Sequence, residues 1–311
     1  MLVVGGMNLT GIAGNVKFDS NWNQGAGTLS FEYPADQLGV FQNGTTVSLT
    51  YNDSPVFYGF LMRTESDMDK RRCCCSDQIR YLQANGSLVR EVEPLGRFVE
   101  RAAAQIGDRL RIGTIENTEL NLSRHRFDNK PYLDMILQSI AENEQLNGYH
   151  YTFYDRFGAL TLTDTLNLRL PLVLGDNSLA TGFSYTRSID RDVYNVVKVV
   201  PESGAAVVKQ DLESVAKWGK LILYQKESGK NAVQLNHAAE TLLASKNREV
   251  QSLRIDAVGD TRVIGGSGVK VILGSVGISE WAVVKRATHQ FGSNYTMSVE
   301  LELGRFPLWQ R

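Results

Sequence analysis

The sequence predicts a mainly β protein with an α+β insertion: two antiparallel β-barrel or sandwich domains and one small α+β domain. Three observations predict it. Short segments of alternating polarity, punctuated by Gly, Asn and Pro, fill both ends of the chain. Apolar residues recur at helical spacing around 94–106, 131–141 and 231–248. The two ends also share spacings: Tyr58 is followed five residues later by Arg63, and Trp281 five residues later by Arg286. That match reads as two copies of one β-module.

Residues 1–86 make the first β-domain. Segments 14–18 and 27–33 alternate with the period of a half-buried strand, and Pro34 closes the second because it has no N–H for a ladder. Strands follow at 47–51, 56–64 and 71–76, separated by Asn52-Asp53-Ser54-Pro55 and Asp67-Met68-Asp69-Lys70. Residues 77–82 read as a short helical turn, and Asn85-Gly86 ends the unit.

Residues 87–175 make the α+β domain. Leu95, Phe98, Val99, Ala102 and Ile106 give the first helix, which Gly107 stops. Asp128 or Asn129 is expected to cap a second helix, with Pro131 in its first turn and Leu133, Ile136, Leu137 and Ile140 as its stripe. A hairpin spans 149–154 and 159–163. Residues 176–311 make the second β-domain. It holds strands near 183–186, 194–200, 207–208 and 221–224, one helix at 231–248, and a closing meander from Ser252 to Leu303.

Composition narrows the function classes. Of 311 residues, 42% are hydrophobic and 22% charged, the balance of a soluble globular chain. Net charge is −1, so no global basic footprint points to specific nucleic-acid binding. No apolar run has transmembrane length, so no membrane insertion is expected. Gly5-Gly6 interrupts the first apolar residues and no basic segment precedes them, so synthesis in the cytoplasm without a signal peptide is expected. Cys73, Cys74 and Cys75 are consecutive. In a strand, neighbours point to opposite faces, and Cys73 and Cys75 lie about 7 Å apart, beyond disulfide reach. They are expected as reduced thiols packed as small hydrophobes.

Chemistry-bearing patterns are sparse. His125, His150, His237 and His289 are scattered, with no His-Glu-x-x-His or Cys-x-x-Cys spacing, so no metal, cofactor or catalytic residue is assigned. His237 and His289 read as surface or packing residues. Gly265-Gly266-Ser267-Gly268 lies between strands and opens no helix, so it reads as a hairpin loop rather than a phosphate cradle. Glu32, Asp67, Asp69, Glu280 and Glu300 lie on or beside strands, and nothing pairs two of them in a cleft for glycoside hydrolysis. Two β-modules with open edges point to assembly rather than catalysis.

Several stretches carry a family resemblance. Phe57-Tyr58-Gly59-Phe60-Leu61, followed by Arg72-Cys73-Cys74-Cys75-Ser76-Asp77-Gln78-Ile79-Arg80-Tyr81-Leu82, is similar to a strand pair of the baseplate hub proteins of contractile phage tails and phage-like particles. That family includes the hub of defective Bacillus prophages and the phage late-control protein. Asp192-Val193-Tyr194-Asn195-Val196-Val197-Lys198-Val199, Ala257-Val258-Gly259-Asp260 and Thr296-Met297-Ser298-Val299-Glu300-Leu301 resemble its other motifs, in the same order. The resemblance implies tail-tube-like β-domains and a homotrimer. It also implies a baseplate location in the virion or particle, between the hexameric tail tube protein and the trimeric central spike protein. Other baseplate proteins, and a tape-measure protein in the lumen, are the further partners it implies. It implies no enzyme and offers no role for the three cysteines. The alternatives are a tail-associated peptidoglycan hydrolase, against which the chain's end at Arg311 soon after the last strand argues, and the tip hub of a non-contractile tail.

Overall fold

Alternation becomes strand from the second residue. A computed structural model describes residues 1–176, 178–190, 192–227 and 231–303, so the end at Arg311 lies outside the described residues. The chain divides into two compact units, 1–183 with 254 onward, and 184–253.

The first unit opens with β1 (Leu2–Val4), β2 (Met7–Asn8), β3 (Gly14–Asn21), β4 (Thr28–Pro34), β5 (Thr46–Tyr51), β6 (Ser54–Ser66) and β7 (Lys70–Ser76). They pair in the order β3-β4-β7-β6-β5-β1-β2, every neighbour antiparallel. Every second residue turns inward: Leu29, Phe31 and Tyr33 on β4, Val47 and Leu49 on β5, Cys73 and Cys75 on β7.

A short 3-10 turn, Gln78–Gln83, leads into the α+β part. This holds β8 (Asn85–Arg90), β9 (Glu93–Pro94), α1 (Leu95–Ala104), β10 (Ile112–Ile115), β11 (Asn121–Leu122), β12 (His125–Pro131), α2 (Tyr132–Asn147), β13 (Tyr151–Asp155) and β14 (Leu160–Asp164). Leu95, Val99 and Ala102 of α1 and Leu133, Ile136 and Ile140 of α2 close one core with Phe153, Leu160 and Leu162. The expected cap of α2 is corrected: Asp128 and Asn129 belong to β12, and the helix starts after Pro131 with no side-chain cap. Pairing of β12 with β8 continues to Pro131 opposite Asn85, which keeps that stretch extended. Asp128 accepts a hydrogen bond from Ser87 instead, at 2.6 Å.

Then come β15 (Arg169–Gly175) and β16 (Ala180–Ser188). The second unit, taken by itself, contains β17 (Val196–Pro201), β18 (Val207–Gln210), α3 (Leu212–Trp218), β19 (Ile222–Glu227) and α4 (Ala232–Lys246). β17 lies between antiparallel β18 and parallel β19, and α4 packs Leu235 and Ala239 on Val197 and Val199. α3 has no counterpart in the sequence reading. It is seven residues long and buries none of them, so it leaves no apolar stripe.

The described residues close with β20 (Val250–Val258), β21 (Gly268–Leu273), β22 (Ile278–Phe291) and β23 (Thr296–Glu302). The sheet order here is β16-β20-β23-β22, with β21 on the other edge of β22 and β15 parallel to β21. The fold is therefore mainly β, a large and mostly antiparallel sheet with few helices, as the sequence predicts.

Candidate assembly interface

The two modules repeat the same pairing around their long strands. Ser48 of β5 lies opposite Tyr58 of β6, and Lys270 of β21 lies opposite Trp281 of β22. Before each first strand a glycine donates its N–H to the long strand: Gly44 to Leu61 O at 2.7 Å, Gly266 to Val284 O at 2.8 Å. Leu61 N–H returns to Thr45 O and Val284 N–H to Ser267 O. Both long strands then shift register against the next strand at the same point, between Leu61 and Arg63 and between Val284 and Arg286. A bulge of this kind bends and twists the strand, so the shared Tyr-to-Arg and Trp-to-Arg spacing marks a shared bend.

That equivalence gives the cysteines a place. Cys75 lies opposite Leu61 as Leu301 lies opposite Val284, so Cys73 and Cys75 stand where the second module has Val299 and Leu301. All four are buried. Burial pushes the Cys73 and Cys75 thiols up, keeping them protonated and unreactive. Cys74 faces the other way, half-buried, with Arg63 Nη2 3.7 Å from its sulfur.

The modules join where β22 lies antiparallel to β3, from Arg286 opposite Asn21 to Phe291 opposite Val16. On the buried face, Phe18 stacks on His289 with centroids 5.9 Å apart. His289 Nε2 meets Val263 O at 2.8 Å, so that nitrogen carries the proton, and Nδ1 accepts from Tyr295 Oη at 2.8 Å. Burial lowers the imidazole pKa and keeps it neutral, so His289 is a packing residue. On the outer face Asp19 receives Lys17, Thr288 and Arg286. Burial alone would raise its carboxyl, but those hydrogen bonds outweigh burial and hold it below its ordinary value.

The other residues named from sequence are dispersed. Glu32 is held by Lys70 at 2.9 Å and Arg72 at 2.7 Å, whose hydrogen bonds bring its carboxyl down to about 2. Asp67 accepts from the backbone of Asp69 and Lys70 in the β6–β7 turn. Glu280 and Glu300 lie opposite Val271 and Arg286. Residues 265–267 form a loop but not the expected hairpin, because the strands it joins, β20 and β21, are not neighbours in the sheet; Gly265 N–H reaches Ser20 Oγ at 2.8 Å and Gly268 opens β21. His237 is exposed on α4, and His125 packs on Phe127. Among the described residues, no group of three or more His, Cys, Asp or Glu is placed to hold a metal ion.

The motif residues prove to be pins of the fold. Asn195 is fully buried, donates to Gly219 O and accepts from Leu221 N–H, both at 2.8 Å. Asp192 receives Lys246 at 2.6 Å. Asp77 accepts from Gly27 and Ile79 N–H. One feature escapes sequence reasoning. Asp155, which accepts from Gln78 Nε2 and Gly158 N–H at 2.6 Å each, is electrostatically linked to Asp77, and burial raises both carboxyls, Asp155 to about 6. Only a turn aspartate was visible there.

A family model described as YQBQ-like matches residues 16–302, a span that holds every motif quoted above. The phage-like element PBSX protein XkdQ of Bacillus subtilis (strain 168) is 24% identical over 265 residues, covering 83% of this chain and 81% of that protein. The 43 kDa tail protein of prophage MuSo2 from Shewanella oneidensis shares the fold with a TM-score of 0.73, at 10% identity over 97% of each chain. The E. coli c3393 protein is a component of the type VI secretion system with structural similarity to T4 bacteriophage tail proteins gp27 and gp5. It has a TM-score of 0.58 and 8% identity, covering 97% of this chain and 76% of that one.

Proposed function

The chain belongs to the YQBQ-like family, and from that premise we propose that it is a structural hub of a tail baseplate. In this reading three copies close a ring beneath a hexameric tail tube and receive a trimeric spike on the opposite side. The duplication carries the reading: with two equivalent modules per chain, three chains offer six quasi-equivalent positions around one axis. The names of the relatives, a phage-like element protein and a prophage tail protein, agree with it.

Residues 1–86 and 176–311 would supply the ring, and 87–175 would meet other baseplate proteins. A tape-measure protein would pass the lumen. No side chain acts as a catalyst in this role. Size-exclusion chromatography with light scattering tests it. The expected mass is three times that of the 34.6 kDa chain, alone or with spike protein. A monomer under both conditions would sink it.

A further inference from the structure

The equivalent strands β6 and β22 differ in how their second edges are used. On β22 that edge serves twice: β21 pairs along 278–283 and β3 along 286–291. On β6 it serves once. β5 takes 54–60, Gly44 and Thr45 take Leu61, and among the described residues no strand lies along 63–66 on that side. One position is thus filled in the second module and bare in the first.

The strand that fills it has its own repeat. The order β3-β4-β7-β6-β5 matches β16-β20-β23-β22 followed by β21, so β16 is the counterpart of β3. β3 pairs with β4 on one edge and β22 on the other. β16 pairs with β20 on one edge, and among the described residues no strand pairs with its other. The middle aromatics show the same difference: Phe18 of β3 is 7% exposed, Phe183 of β16 is 41% exposed.

We infer that β16 of a second copy of this chain lies antiparallel along residues 63–66 of β6, repeating between copies the seam that β3 and β22 make within one. This rests on the hub reading and gives it a contact. Each copy offers one bare β6 edge and one bare β16 edge, on different modules. The joint is therefore head-to-tail, the kind that closes a ring. Unpaired edges of this sort take an added strand readily.

Arg63 and Glu65 put charges on the bare edge, which is also how a sheet guards itself against pairing. The internal seam answers this. Arg286, the counterpart of Arg63, carries the same charge on a strand that is paired, and Asp19 accepts its hydrogen bond. The register carries over as well. His289 lies opposite Phe18 and Thr288 opposite Asp19. Ser66 then falls opposite Phe183 of the second copy, and Glu65 opposite Ser184.

Directly opposed strand residues have Cα atoms about 4.5–5.5 Å apart, within disulfide range. The test is the Glu65→Cys/Ser184→Cys variant in a Cys74→Ser background, which removes the native thiol on the same face. Positions 65 and 184 are exposed, so the fold should tolerate both changes. Under oxidation, purified trimers should cross-link at 65–184, and a Glu65→Cys/Arg187→Cys pair, out of register, should not. Trimers that form without a 65–184 cross-link, or that cross-link equally in both pairs, overturn the strand pairing and leave the hub reading standing. Chains that never associate, with or without spike protein, overturn both.

Discussion

Gly44 and Gly266 hold the same place in two modules, with φ of 86° and 94°, and each donates its N–H to the long strand beside it. Both dihedrals lie in the region that side chains avoid. Their surroundings differ. A β-carbon on Gly44 meets nothing within 4 Å, whereas one on Gly266 comes within 2.6 Å of Thr152 and 3.0 Å of Trp22. Gly44→Ala should therefore cost only backbone strain, about 1 kcal/mol. Gly266→Ala should cost clearly more, because the α+β part must shift as well. Denaturant midpoints of the two variants at unchanged slope check this, and equal losses would refute it.

Much of this was legible in the chain, for identifiable reasons. Strand alternation and helical stripes are local, so Leu29-Phe31-Tyr33 and Leu133-Ile136-Ile140 declared themselves. The repeat was visible as the equal spacing of Tyr58–Arg63 and Trp281–Arg286, because a bulge needs the same residue count in each copy. The seam was not legible: nothing in Phe18 or His289 names the other as its partner, since strand pairing between distant segments is fixed by the rest of the sheet. Asp155 was hidden for a related reason. Its shift comes from burial beside Asp77 and Gln78, which only the folded chain brings near.

The cysteines test the repeat directly. Since Cys73 and Cys75 stand where Val299 and Leu301 stand, Cys73→Val should keep the fold within about 1.5 kcal/mol. Cys75→Ser buries a hydroxyl opposite Leu29 and Leu61 and should cost about 1–3 kcal/mol. In the native protein a thiol reagent should modify Cys74 alone, and unfolding should release the other two. Rapid labelling of all three would contradict their burial.

Falling pH acts on four carboxyls in opposite directions. Asp77 and Asp155 have folded pKa values raised by burial, so ionising them costs stability. Their contribution is fully present below about pH 4, the unfolded value; Asp155 loses its share as pH rises through about 6, and Asp77 loses its share in the same direction. Asp19 and Glu32 are shifted the other way: their stabilisation is present at neutral pH and is lost as pH falls below the ordinary carboxyl range. His289, buried and neutral, works against the raised pair as pH falls, so a variant is read against the native protein. The difference in thermal midpoint between the native protein and Asp155→Asn should move in the native protein's favour from pH 7 to pH 4. A difference that stays constant over that range would rule out the raised Asp155.

Arg90 is the largest charged group sealed inside the α+β part, 1% exposed. Its guanidinium lies 5.9 Å from the ring centres of Phe98 and Phe127, donates to Ser123 O at 2.9 Å and Ser139 Oγ at 2.8 Å, and meets the Glu142 carboxylate. Removing it takes a donor from the Ser123 carbonyl and from the buried Ser139 hydroxyl, and leaves Glu142 without its cation. Arg90→Ala should cost about 3–5 kcal/mol. Arg90→Lys should recover little, since one ammonium cannot reach three partners held in a planar fork. Arg90→Met should do better than Ala by filling the space between the two rings. Chemical denaturation of the three variants gives the order. If Lys matched the native protein, the fork geometry would not be what Arg90 contributes.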